Sequence, residues 1–187
     1  IRSEIEHLLV DRASWEKHYL PRLQWSQERL SATLAEDASA FNATTTHPPR
    51  LHLGSVIGMI RNILGVVGLS YMQLDDPDLL QEIIAVFADI SYRNTETLLK
   101  AGFRPDGAHY WEDICYNHGP LISPEFFRTN LQSHYRKMSE LLNSYGCDLI
   151  SVDCDGKVDE LLPLWFESGV NMIFPIEIGT WDPDFLQ

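Results

Sequence analysis

The sequence predicts an α/β protein built from parallel βα repeats. Short apolar runs alternate with longer segments in which apolar residues recur at helical spacing. The short runs are almost continuously apolar, which is typical of strands covered on both faces. The helical segments are long enough to serve as the crossovers that parallel strands require. About four strands are visible, whereas a closed (β/α)8 barrel takes roughly 250 residues. The pattern therefore fits either a doubly wound sheet or part of a barrel.

The first repeat comprises residues 50–58 and 76–102. The run "RLHLGSVIG" is short and apolar and predicts a buried strand. The segment from 76 to 102 has apolar residues at helical spacing. It begins with Asp76 as a candidate N-cap and Pro77 at the first helical position, and Gly102 stands where a helix ends. This punctuation predicts a long helix.

The same punctuation recurs downstream. Strands are predicted for residues 106–116, 147–154 and 170–179, and helices for residues 123–146 and 157–169. Both of these helical segments end in glycine, and the first opens with a serine N-cap followed by proline. We therefore expect one domain over residues 1–187. It consists of a helical or irregular lead-in at 1–49 and the βα units at 50–187.

Composition excludes several classes of function. The chain has 14 Lys and Arg against 27 Asp and Glu, a net charge of −13. Nucleic acid and anionic membranes need a basic surface, so neither is an expected partner. No apolar run reaches the ~20 residues that cross a bilayer. Three cysteines without CxxC spacing favour a reducing compartment, so we expect a cytoplasmic protein without a leader.

Charged residues gather where the predicted strands end. The carboxyl ends of parallel strands face the active site in α/β folds. Crowded carboxylates repel one another, which raises at least one pKa and makes a general acid possible. The candidates for a site of this kind are Arg61, Glu112, Asp113, Asp153, Asp155 and Glu177, with His118 in the loop that follows the second strand.

Some of these candidates have a structural alternative. Asp155 precedes a glycine and a predicted helix, so it is also a natural N-cap. Glu177 lies inside an apolar run, where a structural ion pair is as reasonable as a site role. Arg61 either clamps a carboxylate substrate or pairs with the acidic cluster. His118 is either a substrate contact or an ordinary loop histidine, and His109 is expected in the core or against a helix.

Several motifs fall in the order of a known superfamily. They are an acidic strand end before "GPLISPEFF", a strand ending in "DG" before "LLPLWFESGV", and "PIE" on the next strand. Upstream, "GMIRNILGVVGLSYMQLDDPDLLQEI" contributes an arginine, a glycine turn and "DDPDLL". Together these motifs resemble the uroporphyrinogen decarboxylase superfamily, which also contains corrinoid-dependent methyltransferases that act on thiols.

The resemblance implies a partial (β/α)8 TIM barrel of the uroporphyrinogen decarboxylase-like type, of which this chain carries the middle. It implies a decarboxylase or a methyltransferase acting on a small molecule at the barrel mouth. Asp113, Asp153 and Glu177 would supply acid, base or cation-binding groups. Substrate contacts would come from Arg61, His118, Glu112 and Asp155.

The resemblance also bears on cofactors and partners. A corrinoid protein is an implied partner, and zinc is an implied metal. Zinc enzymes of the superfamily place a His and a Cys two residues apart at a strand end, where this chain has Asp153 and Asp155 around Cys154. The zinc ligands are therefore not matched. The alternative is a non-catalytic α/β module that binds a small ligand or associates with itself, and a homo-oligomer such as a dimer is expected.

Overall fold

A computed structural model describes residues 7–177 and 179–180, and a parallel four-stranded sheet forms its centre. The sheet has the order β1-β2-β5-β6, and a separate antiparallel hairpin pairs β3 with β4. The strands are β1 (Arg50–Gly54), β2 (Gly107–Trp111), β3 (Cys115–Tyr116), β4 (Gly119–Pro120), β5 (Leu149–Asp153) and β6 (Met172–Phe174).

Two helices precede β1, and further helices lie between the strands. They are α1 (Arg12–Ser14), α2 (Leu34–Thr44), α3 (Gly58–Asp75), α4 (Pro77–Lys100), α5 (Pro124–Phe126), α6 (Gln132–Ser144) and α7 (Leu162–Glu167). Single π-helical turns extend α1 and connect α5 to α6. Within the described residues, no helix is both long and apolar enough to cross a membrane.

Helices cover one face of the sheet. Successive parallel strands are added in one direction, and right-handed crossovers then place every connecting helix on the same side. Burial agrees with this arrangement, because Leu53, Tyr110 and Val152 are buried on the helix side, while His52 and Phe174 on the other side are exposed. A doubly wound sheet would bury both faces. The architecture is a mixed α/β fold consistent with part of an α/β barrel.

The long predicted helix is confirmed as α4. The Asp76 side chain accepts a hydrogen bond from the backbone N–H of Leu79 at 3.1 Å, and Pro77 opens the helix. The predicted serine cap is also confirmed, since Ser123 Oγ accepts from the N–H of Phe126 at 3.0 Å. Cap residues and proline act through neighbouring backbone groups, which is why local sequence suffices to locate them.

Other boundaries differ from the prediction. The strand expected over residues 50–58 ends at Gly54, and residues 58–75 form α3, a helix that was not predicted and that is interrupted by a kink at Gly65, where φ is 73°. The strand expected over 106–116 stops at Trp111, because Asp113 adopts a left-handed conformation with φ 45° and turns the chain into the β3–β4 hairpin. Long-range contacts rather than local pattern set both boundaries.

The last βα unit is shorter than predicted. The helix expected over residues 157–169 forms only as α7, with Pro163 in its first turn, where its missing N–H costs nothing. The strand expected over 170–179 is limited to β6, and Pro175 has no N–H with which to continue the ladder. Residue 178 of that segment lies outside the described residues.

The lead-in packs on α4 through its tryptophans. Trp15 is fully buried, and its Nε1 donates to Glu82 Oε1 at 2.9 Å. Trp25 Nε1 donates to Asn94 Oδ1 at 3.0 Å. Both acceptors belong to α4, so the lead-in extends the helical layer beside β1.

Candidate functional site

The candidate site lies at the carboxyl ends of the four parallel strands. Arg61 is in the first turn of α3, which follows β1, and Asp113 comes two residues after β2. Asp153 is the last residue of β5, and Glu177 follows β6. Trp111 and Asp153 are partners in the strand register, so the second and third strand ends are adjacent. The fold therefore brings four of the predicted site residues to one edge of the sheet.

Arg61 and Asp113 form an ion pair above an aromatic ring. Arg61 Nη1 lies 3.2 Å from Asp113 Oδ2, with 13% and 29% of the two side chains exposed. The guanidinium carbon is 5.6 Å from the centroid of the Trp111 ring, which adds a cation–π contact. Arg61 Nη2 also donates to Asn62 Oδ1 at 2.9 Å. These contacts hold the guanidinium plane in one orientation. The expected pairing of Arg61 with the acidic cluster is therefore present.

Asp153 and Asp155 carry perturbed carboxyl groups. Partial burial, followed by the charges of Asp155 and Asp113, raises the pKa of Asp153. Partial burial and the charges of Asp113 and Glu177 likewise raise the pKa of Asp155. Each shift is upward, so both groups hold a proton more readily than an ordinary aspartate. The cluster thus combines one cation with several carboxylates that repel one another.

The expectation that Asp155 caps a helix is wrong. The helix that follows β5 begins at Leu162, and its N-cap is Leu161, six residues downstream of Asp155. The intervening residues form turns, and the Asp155 side chain is exposed to solvent. Pro163 fixes the first turn of α7, which explains why the helix starts late. Asp155 is thereby left at the rim of the site.

Glu177 ties the end of β6 to the loop after β5. Its Oε2 accepts a hydrogen bond from the backbone N–H of Gly156 at 2.7 Å. Gly156 has φ 85°, and a Cβ there would lie 2.7 Å from the backbone carbon of Cys115. Glycine is required because two loops meet at this point. Glu177 is thus held by the backbone, which orients its carboxylate at the edge of the cluster.

Glu112 has a different position from the one expected for a substrate contact. Its side chain is fully buried, with 0% exposed. Oε2 accepts from Ser55 Oγ at 2.9 Å and from the backbone N–H groups of Ile57 and Gly58 at 3.0 and 2.8 Å. Oε1 accepts from the N–H of Val56 at 2.7 Å. A carboxylate enclosed in this way anchors the start of α3 and is not available to a ligand at the strand ends.

A fifth donor completes the environment of Glu112. The Tyr135 hydroxyl on α6 donates to Glu112 Oε1 at 2.6 Å, and burial of this hydroxyl raises its pKa well above the ordinary value. No local pattern in the sequence signals these partners, because they come from two segments, residues 55–58 and Tyr135, that are distant from Glu112 in the chain. The same anchor explains α3, since the carboxylate satisfies backbone donors that otherwise lack partners at a helix N-terminus.

The two histidines of interest have different places. His118 is exposed in the turn of the β3–β4 hairpin, and the hairpin packs on the loop after β5 through a hydrogen bond from Lys157 N–H to the Tyr116 carbonyl at 2.9 Å. His109 was expected in the core or against a helix. It lies instead on the open face, where its ring stacks on Phe174 with centroids 5.0 Å apart.

Sequence reasoning also missed a polar network on the open face. Ser151 Oγ accepts from Arg50 Nη2 at 3.1 Å and lies 3.0 Å from His109 Nδ1. His52 packs edge-on against His109. Burial and the charge of Arg50 lower the pKa of His109. Arg50 and His52 alternate along β1 and therefore point to the same face of the sheet. The strand register places His109 and Ser151 beside them, but the sequence alone does not give that register.

The residues present do not fit a zinc site. Across residues 7–177 and 179–180, no three His, Cys, Asp or Glu side chains are arranged to hold a metal ion. The Cys154 sulfur is buried and accepts a hydrogen bond from the N–H of Ile114 at 3.3 Å. A hydrogen bond with Cys154 and burial raise the pKa of the Cys115 thiol, which disfavours a metal-binding thiolate. The strand ends offer the Arg61 guanidinium and the carboxylates of Asp113, Asp153 and Asp155.

Comparison with known proteins supports the fold. No family model and no curated protein matches the sequence. A solved methyltransferase from Methanosarcina mazei is similar in structure, with 16% sequence identity and a TM-score of 0.56. The match covers 88% of this chain and 44% of that chain, so this chain spans less than half the length of the methyltransferase. The likeness concerns the fold, which over most of this chain is similar to part of that methyltransferase.

Proposed function

We propose that this chain carries part of the active site of a small-molecule methyltransferase, at the carboxyl ends of its parallel strands. The observation that carries the proposal is the meeting of Arg61, Asp113 and Asp153 at this edge of the sheet. Such strand ends hold the catalytic groups of α/β barrel enzymes. The similar solved protein is named a methyltransferase, which makes methyl transfer the reaction class to propose.

Arg61 is assigned the binding of an anionic group on the substrate. Its guanidinium is held on one side by Asp113 and supported below by Trp111. A preset guanidinium binds a carboxylate through parallel hydrogen bonds and loses little side-chain entropy in doing so. Asp113 therefore acts as a positioning residue in this proposal, and Asp155 and His118 provide contacts at the rim.

Asp153 is assigned the proton transfer. Its raised pKa brings its proton affinity closer to that needed for exchange with a substrate group near neutral pH. The acceptor thiol gives its proton to Asp153 as its sulfur forms a bond to the methyl carbon. The bond between that carbon and the donor breaks, and its electron pair leaves with the donor. Glu177, fixed to Gly156, keeps the loop after β5 beside this aspartate.

The test is methyl transfer between two defined compounds. The purified chain is incubated with methylcobalamin as donor and 3-mercaptopropionate as acceptor, and the thioether product is quantified by mass spectrometry. We expect Asp153→Asn to slow product formation by about 100-fold, which is the lower range for loss of a general acid or base. The matched control is Asp148→Asn, since this exposed aspartate lies at the opposite end of the same strand.

The acceptor also tests Arg61. Arg61→Ala should raise KM for the anionic 3-mercaptopropionate and leave KM for neutral 2-mercaptoethanol unchanged, because only the anion uses the guanidinium. Product no faster than in a protein-free mixture would refute the methyltransferase proposal. Saturable binding of the thiol without turnover would favour the non-catalytic ligand-binding module.

A further inference from the structure

Both edges of the parallel sheet are open within the described chain. The strand order leaves one side of β1 and one side of β6 without a neighbouring strand. An unpaired edge presents rows of N–H and C=O groups that other strands can join. Soluble proteins usually protect such edges with lysine, proline or a covering segment. Neither β1, "RLHLG", nor β6, "MIF", contains lysine or proline.

Apolar side chains accompany the β6 edge. Phe166 on α7 has 72% of its surface exposed, and Met172 on β6 is also exposed. Both line a shallow cavity with Ile173, which places Phe166 beside this strand on the helix-covered side. Exposed apolar groups that cluster at a sheet edge mark an interaction surface.

The β1 edge carries a complementary cavity. A space of about 310 Å³ lies between β1, α4 and the lead-in. Its apolar lining comes from Leu23, Leu51, Met59, Phe87, Ile90 and Leu98. This cavity is also on the helix-covered side, because α4 forms one wall. One edge therefore offers a projecting aromatic side chain and the other an apolar recess.

The parallel direction of the four strands indicates that a second copy of this chain can pair with both edges. All four strands are parallel, so a twofold axis along the strands generates four more strands in the same direction. The β6 edge of each copy then meets the β1 edge of the other, and eight strands close into a ring without edges. The similar methyltransferase is matched over 44% of its length, so two copies of this chain together approach the length of that protein.

We infer that two copies of this chain pair through the β1 and β6 edges to form a closed eight-stranded parallel barrel. Phe166 of each copy fills the cavity beside β1 of the other. The open faces become the barrel interior, and the stack of His109 on Phe174 is enclosed there. The mouth then contains two copies of the Arg61 and Asp153 cluster. This assembly is independent of which reaction the mouth performs.

The test is the mass of the purified chain in solution. We expect light scattering after size-exclusion chromatography to give twice the 21.4 kDa of one chain. The measurement is made at about 0.3 M salt, because each chain has a net charge of −13 and screening reduces the repulsion between copies. Phe166→Glu should weaken the dimer at least ~10-fold, since a charge would be buried in the apolar cavity.

The matched control is Leu74→Glu, because Leu74 on α3 is 82% exposed and lines neither the cavity beside β1 nor the one beside β6. Circular dichroism establishes that both variants fold, which is expected for exposed positions. A dimer that is weakened by Phe166→Glu alone supports the inference. A monomer overturns it, and leaves the edges to βα units of another chain or of a longer one. An open-ended oligomer, or a dimer equally sensitive to both variants, also overturns it.

Discussion

Glu112 and Asp113 are neighbours in the chain, yet their carboxylates have opposite surroundings. Glu112 is fully buried and accepts hydrogen bonds from Ser55, Tyr135 and three backbone N–H groups. Asp113 is partly exposed and shares one arginine with a cluster of further carboxylates. The chain leaves β2 after Trp111 and turns at Asp113, where φ is 45°, so the two side chains have different surroundings. The Glu112 carboxylate supports the fold. The Asp113 carboxylate belongs to a cluster of negative charges that the single positive charge of Arg61 does not balance.

This difference separates an anchor from a candidate site. A buried charge is tolerated when hydrogen bonds satisfy all of its lone pairs, as they do for Glu112. A group of carboxylates near one another instead raises its own proton affinity, as Asp153 and Asp155 do. Perturbed groups of that kind concentrate at functional sites. Two acidic residues that follow the same strand therefore have different roles: Glu112 is structural, and Asp113 belongs to the candidate site.

The largest expected effect comes from removing the charge of the anchor. Glu112→Gln should lower the free energy of unfolding by about 2–4 kcal/mol, because one carboxylate oxygen becomes an NH2 group that faces hydrogen-bond donors. The measurement is urea denaturation followed by circular dichroism.

The matched variant is Asp113→Asn, which makes the same chemical change one residue later. It should cost less than about 1 kcal/mol, since the pair with Arg61 is partly exposed and asparagine tolerates a positive φ. Equal losses in the free energy of unfolding would show that Glu112 does not stabilise the fold more than Asp113 does.

A second variant tests how closely α3 is held to the anchor. A Cβ at Gly58 would lie 1.9 Å from the carbonyl oxygen of Glu112, so Gly58→Ala must push the helix away from the strand. We expect a loss of about 2–3 kcal/mol in urea denaturation, typical of overpacking. Gly68→Ala, in the part of α3 beyond the kink at Gly65, is the control. Its Cβ would make an ordinary contact at 3.4 Å with Leu64, and it should stabilise by up to about 1 kcal/mol. A harmless Gly58→Ala would contradict the close approach.

The features that the sequence could predict are those set by nearby residues or by the order of the strands. Caps and prolines act over a few residues, so α4 and its Asp76 cap were recognised in advance. Strand ends carry chemistry in parallel folds, so Arg61, Asp113 and Asp153 were expected at one edge of the sheet, where the structure places them, and their role as a site stays a prediction. Both inferences rest on short-range or topological rules that need no knowledge of packing.

The remaining features depend on contacts distant in sequence. Glu112 was grouped with Asp113 because local sequence does not tell which carboxylate faces inward. Its donors lie more than 50 residues upstream, at Ser55 to Gly58, and 23 residues downstream, at Tyr135. The helix α3 was missed for the same reason. Its segment is rich in glycine, and its first turn is stabilised by the Glu112 carboxylate, which comes from a distant part of the chain. Burial of one face of the sheet likewise follows from strand order, which local pattern does not reveal.

The smallest expected effect concerns the pH dependence of Asp153. Its pKa is raised in the folded protein above the ordinary value of 3.8. The folded state therefore binds the proton more tightly than the unfolded state, and stability falls as pH rises from about that value through the raised pKa. Asp153→Asn carries no charge and avoids this loss. We expect the variant to be more stable than the parent at pH 7, by less than about 1 kcal/mol for a group that keeps some solvent contact.

Urea denaturation at pH 7 and below pH 4 measures the difference, which should vanish at the lower pH because both side chains are then neutral. Asp148→Asn at the other end of β5 controls for the loss of a charge from a protein of net charge −13. A variant that is less stable than the parent at pH 7 would mean that the negative charge of Asp153 is stabilised by a nearby cation, just as hydrogen bonds stabilise the charge of Glu112. A more stable variant would identify a carboxylate whose charge opposes folding. Because groups with perturbed pKa values concentrate at functional sites, that result would strengthen the assignment of Asp153 to proton transfer.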